Sequence, residues 1–212
     1  MSVSVTTRAR IVSAARACFA RDGYDRTTNK DIADAAGITT GAIYHYFDSK
    51  PELFAAVATE TFELIRVEFV DALSHAEPNF VAQVSALWER AAALHERDRS
   101  LAPFAMVSPI ETLRHREIPP PHRGDHAPHQ ALEEVVAAAR ARGELADDID
   151  DGTVLDVLVA MTMGLAHFAA ADEQGHHRRT SEAFRRVIDG TLVSRSASRR
   201  RAPRRHQASA SS

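Results

Sequence analysis

The chain has 212 residues, and 44% of them are apolar, which is enough for one large domain or two smaller ones with a real core. Its single cysteine, Cys18, excludes an internal disulfide framework and favours a reducing compartment. The net charge of −3 conceals basic ends around an acidic middle: residues 1–50 carry seven basic and five acidic side chains, residues 51–194 carry 13 and 24, and residues 195–212 carry six arginines and no acid.

Two helices are predicted at the start of the chain. Apolar residues at helical spacing mark a first helix over residues 7–21, which Gly23 stops. Thr28 and Asp31, three residues apart, form a capping-box-like start in which Asp stands in for the usual Glu. Gly37 offers the left-handed residue that ends this second helix.

A third short helix is predicted after the turn at Gly37. Thr39 or Thr40 caps it, and Ile43 and Phe47, four residues apart, face the core. Two short helices joined by a turn that contains glycine are typical of a helix-turn-helix. The second of these helices exposes donors, acceptors and a bare backbone position, which suits the major groove of DNA.

The rest of the chain is predicted to be helical throughout. Ser49 and Glu52 form a capping box with Pro51 in the first turn of a long helix that reaches about residue 73 and links two domains. Pro109 is expected to kink a later helix. The later helices are predicted over residues 80–97, 101–117, 131–142, 150–171 and 181–193, with a loop over residues 118–128 that is rich in Pro, His and Gly.

The N-terminal sequence resembles the DNA-binding domain of TetR-family transcriptional regulators. The resemblance covers roughly residues 8–55, about a quarter of the chain, with ten or more matching positions in order. The remainder resembles the family only in helical layout and length. The matching segments are residues 17–24, 27–28, 31–33, 36–38, 41–47 and 49–53.

The resemblance implies an all-α protein of two domains. Residues 1–50 are expected to form a three-helix helix-turn-helix DNA-binding domain, and residues 51–194 a larger helical domain for ligand binding and dimerisation. Residues 195–212 are expected to be a disordered basic tail, and extra phosphate contacts from that tail are the less favoured alternative.

The expected DNA contacts lie on and around the second helix of the helix-turn-helix. The first turn of a recognition helix usually reaches base edges. The residues that start the flanking helices are placed for phosphate contacts, where a helix N-terminus also attracts anions. Tyr44, His45, Tyr46 and Lys50 are the strongest candidates by the family pattern. The predicted DNA-binding residues are Thr28, Lys30, Thr39, Thr40, Gly41, Tyr44, His45, Tyr46 and Lys50.

An apolar cavity for an effector is predicted inside the C-terminal domain. Large or soft side chains on helices that should pack together, with a few polar groups among them, suit a hydrophobic molecule that bears a polar or anionic group. Plain core packing is the competing interpretation, and the case for a cavity comes mainly from the family resemblance. The predicted ligand-binding residues are Trp88, His95, Phe104, Met106, Arg114, Met163, His167 and Phe168.

A dimer surface is predicted on the last two helices. Residues 154–171 are apolar nearly all round, and Ala160 and Gly164 allow close approach of another helix. The resemblance implies a four-helix bundle with a second copy of the chain, and simple burial within one subunit is the alternative. Asp156, Thr162 and His167 interrupt this apolar run, so a membrane span is not expected.

No metal, cofactor or catalytic site is predicted. His122, Asp125, His126 and His129 have a spacing that can in principle hold a metal ion, but solvated histidines in a flexible loop are favoured. The chain lacks the phosphate-loop, dinucleotide, nucleophile-elbow, paired-cysteine and zinc-protease motifs.

The sequence therefore predicts a cytoplasmic transcriptional regulator and not an enzyme. It is expected to act as a homodimeric repressor that binds a palindromic double-stranded DNA operator and is released by a small hydrophobic effector ligand. The alternative is a helical protein-interaction module without specific DNA binding.

Overall fold

The structure, a computed structural model, describes residues 6–119, 127–171 and 176–190. In these three ranges the chain consists of helices and turns, which confirms the predicted all-α class. The helices are α1 (Thr7–Arg26), α2 (Asn29–Ala36), α3 (Thr40–Ile43), α4 (Lys50–His75), α5 (Phe80–Arg97), α6 (Leu101–Arg114), α7 (Ala127–Ala141), α8 (Asp151–Ala171) and α9 (His176–Ile188).

The predicted helix starts in the N-terminal part are confirmed. The Thr28 hydroxyl accepts a hydrogen bond from the Asp31 backbone N–H, and the Asp31 carboxylate accepts one from the Thr28 N–H at 2.9 Å. A hydrogen bond that the Thr28 hydroxyl donates to the Asp31 carboxylate at 2.6 Å, together with the one from the Thr28 N–H, lowers the pKa of the Asp31 carboxyl. The Ser49 hydroxyl likewise accepts from the Glu52 N–H at the start of α4. Gly37 ends α2 with a left-handed φ of 63°.

Several helix limits differ from the sequence prediction. Gly23, with φ 79°, interrupts the helical geometry where a stop was predicted, but one more helical turn follows it in α1. The helix α6 ends at Arg114 instead of residue 117. The helix α7 begins four residues before its predicted start, because a proline in a first helical turn is tolerated there. The helix α9 begins at His176, five residues early, and residues 191–193 of its predicted span lie outside the described residues.

Two groups of buried apolar residues form the core. The first joins α1, α2, α3 and the beginning of α4, and it also takes in Phe104 of α6 and Ile118, which follows that helix. The second lies between α4, α5, α7 and α8. Its buried members are Phe69, Val84, Leu87, Trp88, Ala131, Leu132, Val135, Val136, Leu158 and Leu165.

A polar cluster, made of Arg16, Thr61, Asp98 and Ser100, joins α1 to the helices of the C-terminal half. Arg16 is buried, and its Nη2 donates to Asp98 Oδ2 at 2.5 Å while its Nε donates to Ser100 Oγ at 3.1 Å. Its Nη1 lies 3.5 Å from Thr61 Oγ1. Because a buried guanidinium needs all of these partners, the cluster fixes how α1 sits on the rest of the molecule.

The helix α8 is buried on one side only within a single chain, contrary to the single-subunit alternative. Val157, Met163 and Phe168 are 52%, 55% and 43% exposed. By length and composition this helix is apolar enough to cross a membrane, a property that it shares with core helices of soluble proteins, and only 17% of its apolar window is buried in the chain. An apolar helix with so little cover inside the chain needs a further partner.

Candidate nucleic-acid interface

The turn between α2 and α3 is held from both sides. The Ile38 N–H donates to the Ala33 carbonyl at 3.0 Å, which closes the C-terminal end of α2. From α1, the guanidinium of Arg10 donates to the Ala36 carbonyl at 2.5 Å and reaches the Gly37 carbonyl at 3.5 Å. Sequence reasoning did not single out Arg10, because nothing in the spacing of α1 shows that its exposed face touches the turn. The result is a rigid frame for the helix that follows.

The helix α3 is short, but its inward positions are those predicted. Its N-cap is Thr39, whose hydroxyl accepts from the Ala42 N–H at 3.3 Å. Ile43 is 1% exposed and Phe47 is 3% exposed, and both belong to the first core. Tyr44 closes the four-residue helix, and the residues after it continue as a turn. Because Ile43 and Phe47 anchor this segment, the side chains between them are turned outward.

The predicted DNA-contacting residues of this segment lie on one exposed surface. Tyr44 is 53% and Tyr46 is 45% exposed, and His45 is exposed as well. Thr39 and Gly41 are also exposed, and Thr40 is half-buried. A row of phenol, imidazole and hydroxyl groups beside a bare backbone position can donate to phosphates and to base edges.

The start of α2 adjoins this surface. The Asn29 side-chain amide donates to the Tyr44 hydroxyl oxygen at 2.9 Å, which links α2 to the end of α3. Thr28 and Lys30 on either side of Asn29 are exposed. Asn29 was missed by the sequence analysis, since an asparagine at the first position of a helix is usually read as part of the cap. The structure therefore brings the start of α2 and the end of α3 together at one exposed surface.

Lys50 is placed differently from the other candidates. Its Nζ lies 4.3 Å from the centre of the Tyr24 ring and 3.4 Å from the Asp25 carbonyl oxygen. Burial lowers the pKa of the Lys50 ammonium, while the carboxylates of Asp25 and Glu117 act in the opposite direction. Its charge is thus directed toward the junction of α1 and α6, and the expected phosphate contact of Lys50 stays a prediction.

The same junction links the helix-turn-helix to α6. The His115 ring lies 4.6 Å from the Tyr24 ring, and its Nε2 is 3.5 Å from Asp25 Oδ1 and 3.4 Å from Glu111 Oε2. Burial, aided by the nearby carboxylates of Glu117 and Asp25, raises the pKa of the Tyr24 phenol to about 12. Tyr24 therefore stays a neutral packing group between the two parts of the molecule at ordinary pH.

The arrangement of these helices matches a known family. Residues 11–57 fit the model described as bacterial regulatory proteins, tetR family. Along most of its length the chain is similar to the HTH-type transcriptional regulator UidR of Escherichia coli (strain K12), with 25% identity over 193 residues, or 88% of this chain and 93% of that protein. Residues 11–57 of this chain therefore belong to the TetR family of transcriptional regulators.

Two further comparisons support the assignment to the TetR family. Across 56 residues, which are 26% of this chain and 30% of the other, it is 43% identical to the HTH-type transcriptional repressor AcnR of Corynebacterium efficiens. The crystal structure of the transcriptional regulator FadR from Bacillus subtilis in complex with stearoyl-CoA superimposes with a TM-score of 0.70 at 17% identity, covering 87% of this chain and 98% of that one. The latter comparison shows that the fold is shared.

The eight residues predicted to line one cavity in this TetR-family chain do not come together. Phe104 is buried in the first core against Phe19 and Phe54, with ring centres 6.4 and 5.4 Å away, so its place in a C-terminal cavity is corrected. The size and apolar character of Phe104 favoured a buried position but could not show which core the ring enters. Trp88 lies in the second core, and Met106 and His95 are half-buried.

The remaining four of these residues point away from the interior. Met163, His167 and Phe168 lie on the exposed side of α8, and Arg114 is exposed at the end of α6. The sequence analysis expected α8 both to line the cavity and to form the dimer surface, and a helix that is apolar all round can be covered on one side by a second chain. The structure therefore moves this part of the predicted cavity to the surface of the subunit.

Most of the histidine-rich loop lies outside the described residues. That applies to His122, Asp125 and His126. His129 is described, and its Nε2 lies 3.3 Å from Glu133 Oε1 one turn further along α7. Among the residues that the structure describes, there is no group of three side chains arranged to hold a metal ion.

Proposed function

We propose that this TetR-family regulator is a homodimeric repressor that binds a palindromic DNA operator and leaves it when a small molecule binds. The observation that carries the proposal is the exposed surface of Tyr44, His45 and Tyr46 on a helix-turn-helix whose frame is held by Arg10. Groups of this kind on a rigid short helix suit base and phosphate contacts. The remaining candidates, Thr28, Lys30, Thr39, Thr40, Gly41 and Lys50, belong to the same proposal.

Repression and ligand control are supported by relatives. The similar protein AcnR is named a transcriptional repressor, and its likeness to this chain falls on a segment of helix-turn-helix size. FadR, which has the same fold, holds stearoyl-CoA. We infer that this chain too responds to a small molecule, which acts through its different affinities for the DNA-binding and the released conformations.

The dimer is supported by the uncovered apolar surface of α8. Val157, Met163 and Phe168 are each more than 40% exposed, and Val187 on α9 is 48% exposed. A second copy of the chain, packed through α8 and α9, would remove this apolar surface from water. Two recognition surfaces held by one dimer then match two half-sites about one helical turn apart.

The proposed domain division is supported by the two cores, with one qualification. The first core includes Leu53, Phe54, Val57 and Ala58, so the beginning of α4 packs with the DNA-binding helices. The division at residue 50 marks the start of the linking helix α4. We further propose that the protein works in the cytoplasm as a regulator without catalytic activity, as the family assignment favours.

Substitution of Tyr44 tests the DNA-binding proposal. Fluorescence anisotropy with labelled DNA from upstream of the gene should show saturable, sequence-specific binding by the wild-type protein. Tyr44→Ala removes an exposed ring without touching the core, and we expect operator affinity to fall at least tenfold, roughly the loss of one good contact. Glu134→Ala, an exposed change on α7, is the matched control and should bind as the wild type does.

Three results would contradict this proposal. Binding that is equally tight to unrelated DNA would favour a non-specific basic surface. Operator affinity that is unchanged in Tyr44→Ala would show that α3 does not contact the DNA, and absence of any DNA binding would favour the protein-interaction alternative.

A further inference from the structure

A side-chain hydrogen bond ties the start of α2 to the end of α3. Asn29 Nδ2 donates to Tyr44 Oη at 2.9 Å, although the two residues are 15 positions apart in the chain. Asn29 directly follows Thr28, the capping residue of α2, and Tyr44 ends α3 beside the buried Ile43. Because both backbones are fixed in this way, the packing of the two helices decides that these side chains meet.

The direction of this bond decides what the Tyr44 hydroxyl can offer to another molecule. The amide nitrogen only donates, so the phenol oxygen is the acceptor and its own hydrogen is left for a different partner. That hydrogen has no acceptor among the groups that the structure describes, and the Tyr44 side chain is 53% exposed. A hydroxyl that already accepts a hydrogen bond is also a stronger donor. Tyr44 therefore presents a polarised O–H group to its surroundings.

The Asn29 side chain depends on this one bond. Its Oδ1 is buried and has no hydrogen-bond partner within the described part of the chain. The amide thus makes its side-chain hydrogen bond with Tyr44, and breaking that bond would leave a second polar atom of a half-buried side chain unsatisfied. Asn29 therefore holds the phenol oxygen of Tyr44 in one position.

The surroundings of this O–H group favour a phosphate oxygen as its acceptor. Lys30, the next residue of α2, is exposed and brings a positive charge, and the start of a helix is itself favourable for anions. The Asp31 carboxylate in the same turn is engaged by the N–H and the hydroxyl of Thr28. Most hydrogen bonds from proteins to DNA go to the sugar–phosphate backbone, and hydroxyl groups are among their donors.

We propose that Asn29 is a positioning residue for DNA binding, which holds the Tyr44 phenol so that its O–H group donates to a phosphate oxygen. Asn29 acts through Tyr44 and does not itself touch the DNA. This role rests on the proposed repressor function, which names Tyr44 as a DNA contact and assigns nothing to Asn29.

A double-mutant cycle with the full-length protein and labelled operator DNA tests this role. Tyr44→Phe removes only the hydroxyl and should weaken operator binding roughly tenfold, as the loss of one hydrogen bond to a charged group does. Asn29→Ala should weaken it roughly threefold, because the phenol is no longer held. The combined variant should bind as Tyr44→Phe does, since no hydroxyl is left to position. Gln130→Ala, which removes an exposed amide on α7, is the matched control and should bind as the wild type does.

Asn29→Asp tests the direction of the hydrogen bond. A carboxylate has no hydrogen to donate, so it accepts from the Tyr44 hydroxyl and takes away the hydrogen meant for the DNA. The variant should fold, because an acidic side chain is favoured in the first turn of a helix. The same change in Tyr44→Phe measures only the repulsion between the new charge and the DNA. The loss of operator affinity that Asn29→Asp causes should therefore be larger when the hydroxyl is present.

Binding to unrelated DNA identifies the acceptor. A phosphate contact carries no sequence information, so Asn29→Ala should weaken binding to the operator and to unrelated DNA by the same factor. A loss confined to the operator would assign the O–H group to a base edge and overturn the phosphate contact.

The outcomes separate this proposal from the repressor function. Losses that multiply in the combined variant would show that Asn29 acts independently of the Tyr44 hydroxyl. Wild-type affinity in Asn29→Ala or Asn29→Asp would show that the bond does not direct the hydroxyl. Each of these results overturns the positioning role, while sequence-specific binding by the wild-type protein keeps the repressor function. A wild-type protein that binds no DNA would overturn both.

Discussion

Arg16 lies almost wholly inside the protein, although arginine is rarely buried without a partner. Its guanidinium is satisfied by Asp98 and Ser100, which precede α6, and by Thr61 on α4. Burial opposes ionisation of Asp98, but hydrogen bonds from Ser100 and the charge of Arg16 outweigh it, so the pKa of this carboxyl lies below its usual value. The sequence offered no sign of this pair, because its members are 82 residues apart.

Removal of the Asp98 charge should destabilise the protein. Asp98→Asn keeps the size of the side chain but leaves Arg16 as a buried charge without its carboxylate, and we expect a loss of about 2–3 kcal/mol in the free energy of unfolding. Urea denaturation followed by circular dichroism measures this. Glu63→Gln, which removes an exposed partner of Arg66, is the control and should barely move the transition. Equal losses of unfolding free energy in the two variants would show that the buried Arg16–Asp98 pair contributes no more to stability than an exposed ion pair does.

The same pair should make stability depend on acid pH. The folded-state pKa of Asp98 is lowered, so its contribution is fully present above the unfolded pKa of about 4 and is lost as the pH falls through the lower folded value. The difference in unfolding free energy between the wild type and Asp98→Asn should be constant from pH 7 to pH 5 and shrink below about pH 4. A difference that stays constant at still lower pH would argue against this linkage.

Among the helices, α6 is the one whose observed packing differs most from what the sequence predicted. The sequence analysis named Phe104 as a residue that lines a cavity in the C-terminal domain. The ring instead joins Phe19 and Phe54 in the first core. Periodicity orients a helix about its own axis, whereas the identity of its neighbours depends on how the connecting segments place it. The helix α6 thus contributes a ring to the core of the helix-turn-helix, which connects this part to the C-terminal helices.

Truncation of Phe104 and of Phe168 distinguishes a ring buried in the first core from a ring on the exposed side of α8. Phe104→Ala should lower the free energy of unfolding by about 3–5 kcal/mol, because it leaves a cavity in a packed aromatic cluster. Phe168→Ala removes a ring that is 43% exposed in the subunit, and it should cost much less at protein concentrations too low for subunits to associate. Thermal unfolding of both variants against the wild type checks the order. A small effect of Phe104→Ala on stability would contradict the placement of this ring in the first core.

At the scale of the whole molecule, the apolar outer surface of α8 is the feature that one chain leaves incomplete. Gly164 lies on this helix, and a side chain built at this position would meet no atom of the same subunit within 4 Å. Within one subunit, therefore, a Cβ atom at this position is sterically tolerated. A substitution at this position that changes the oligomeric state would therefore report a contact with a second chain, so Gly164 is a suitable site to test the proposed dimer.

Gly164→Arg should convert the proposed dimer into a monomer. Light scattering of the wild type should give about twice the chain mass of 23.2 kDa, and the variant should approach the single-chain value with its helical content retained. Operator affinity should fall with it, because one recognition surface then acts alone. Glu134→Arg, which introduces the same side chain on the exposed side of α7, should leave the dimer intact. A wild-type protein that stays monomeric at micromolar concentration would refute the dimer.

The sequence by itself determined the features that depend on neighbours along the chain. The capping pair of Thr28 and Asp31, the left-handed Gly37 and the inward spacing of Ile43 and Phe47 all act within a few residues, so the helix-turn-helix and the family could be recognised from them. The tertiary structure decided what depends on residues far apart. It paired Arg16 with Asp98, sent Phe104 into the first core, turned Lys50 toward Tyr24 and joined Asn29 to Tyr44. Local hydrogen bonds and periodicity constrain which side of a helix is buried, but only the packing of distant helices selects the partner.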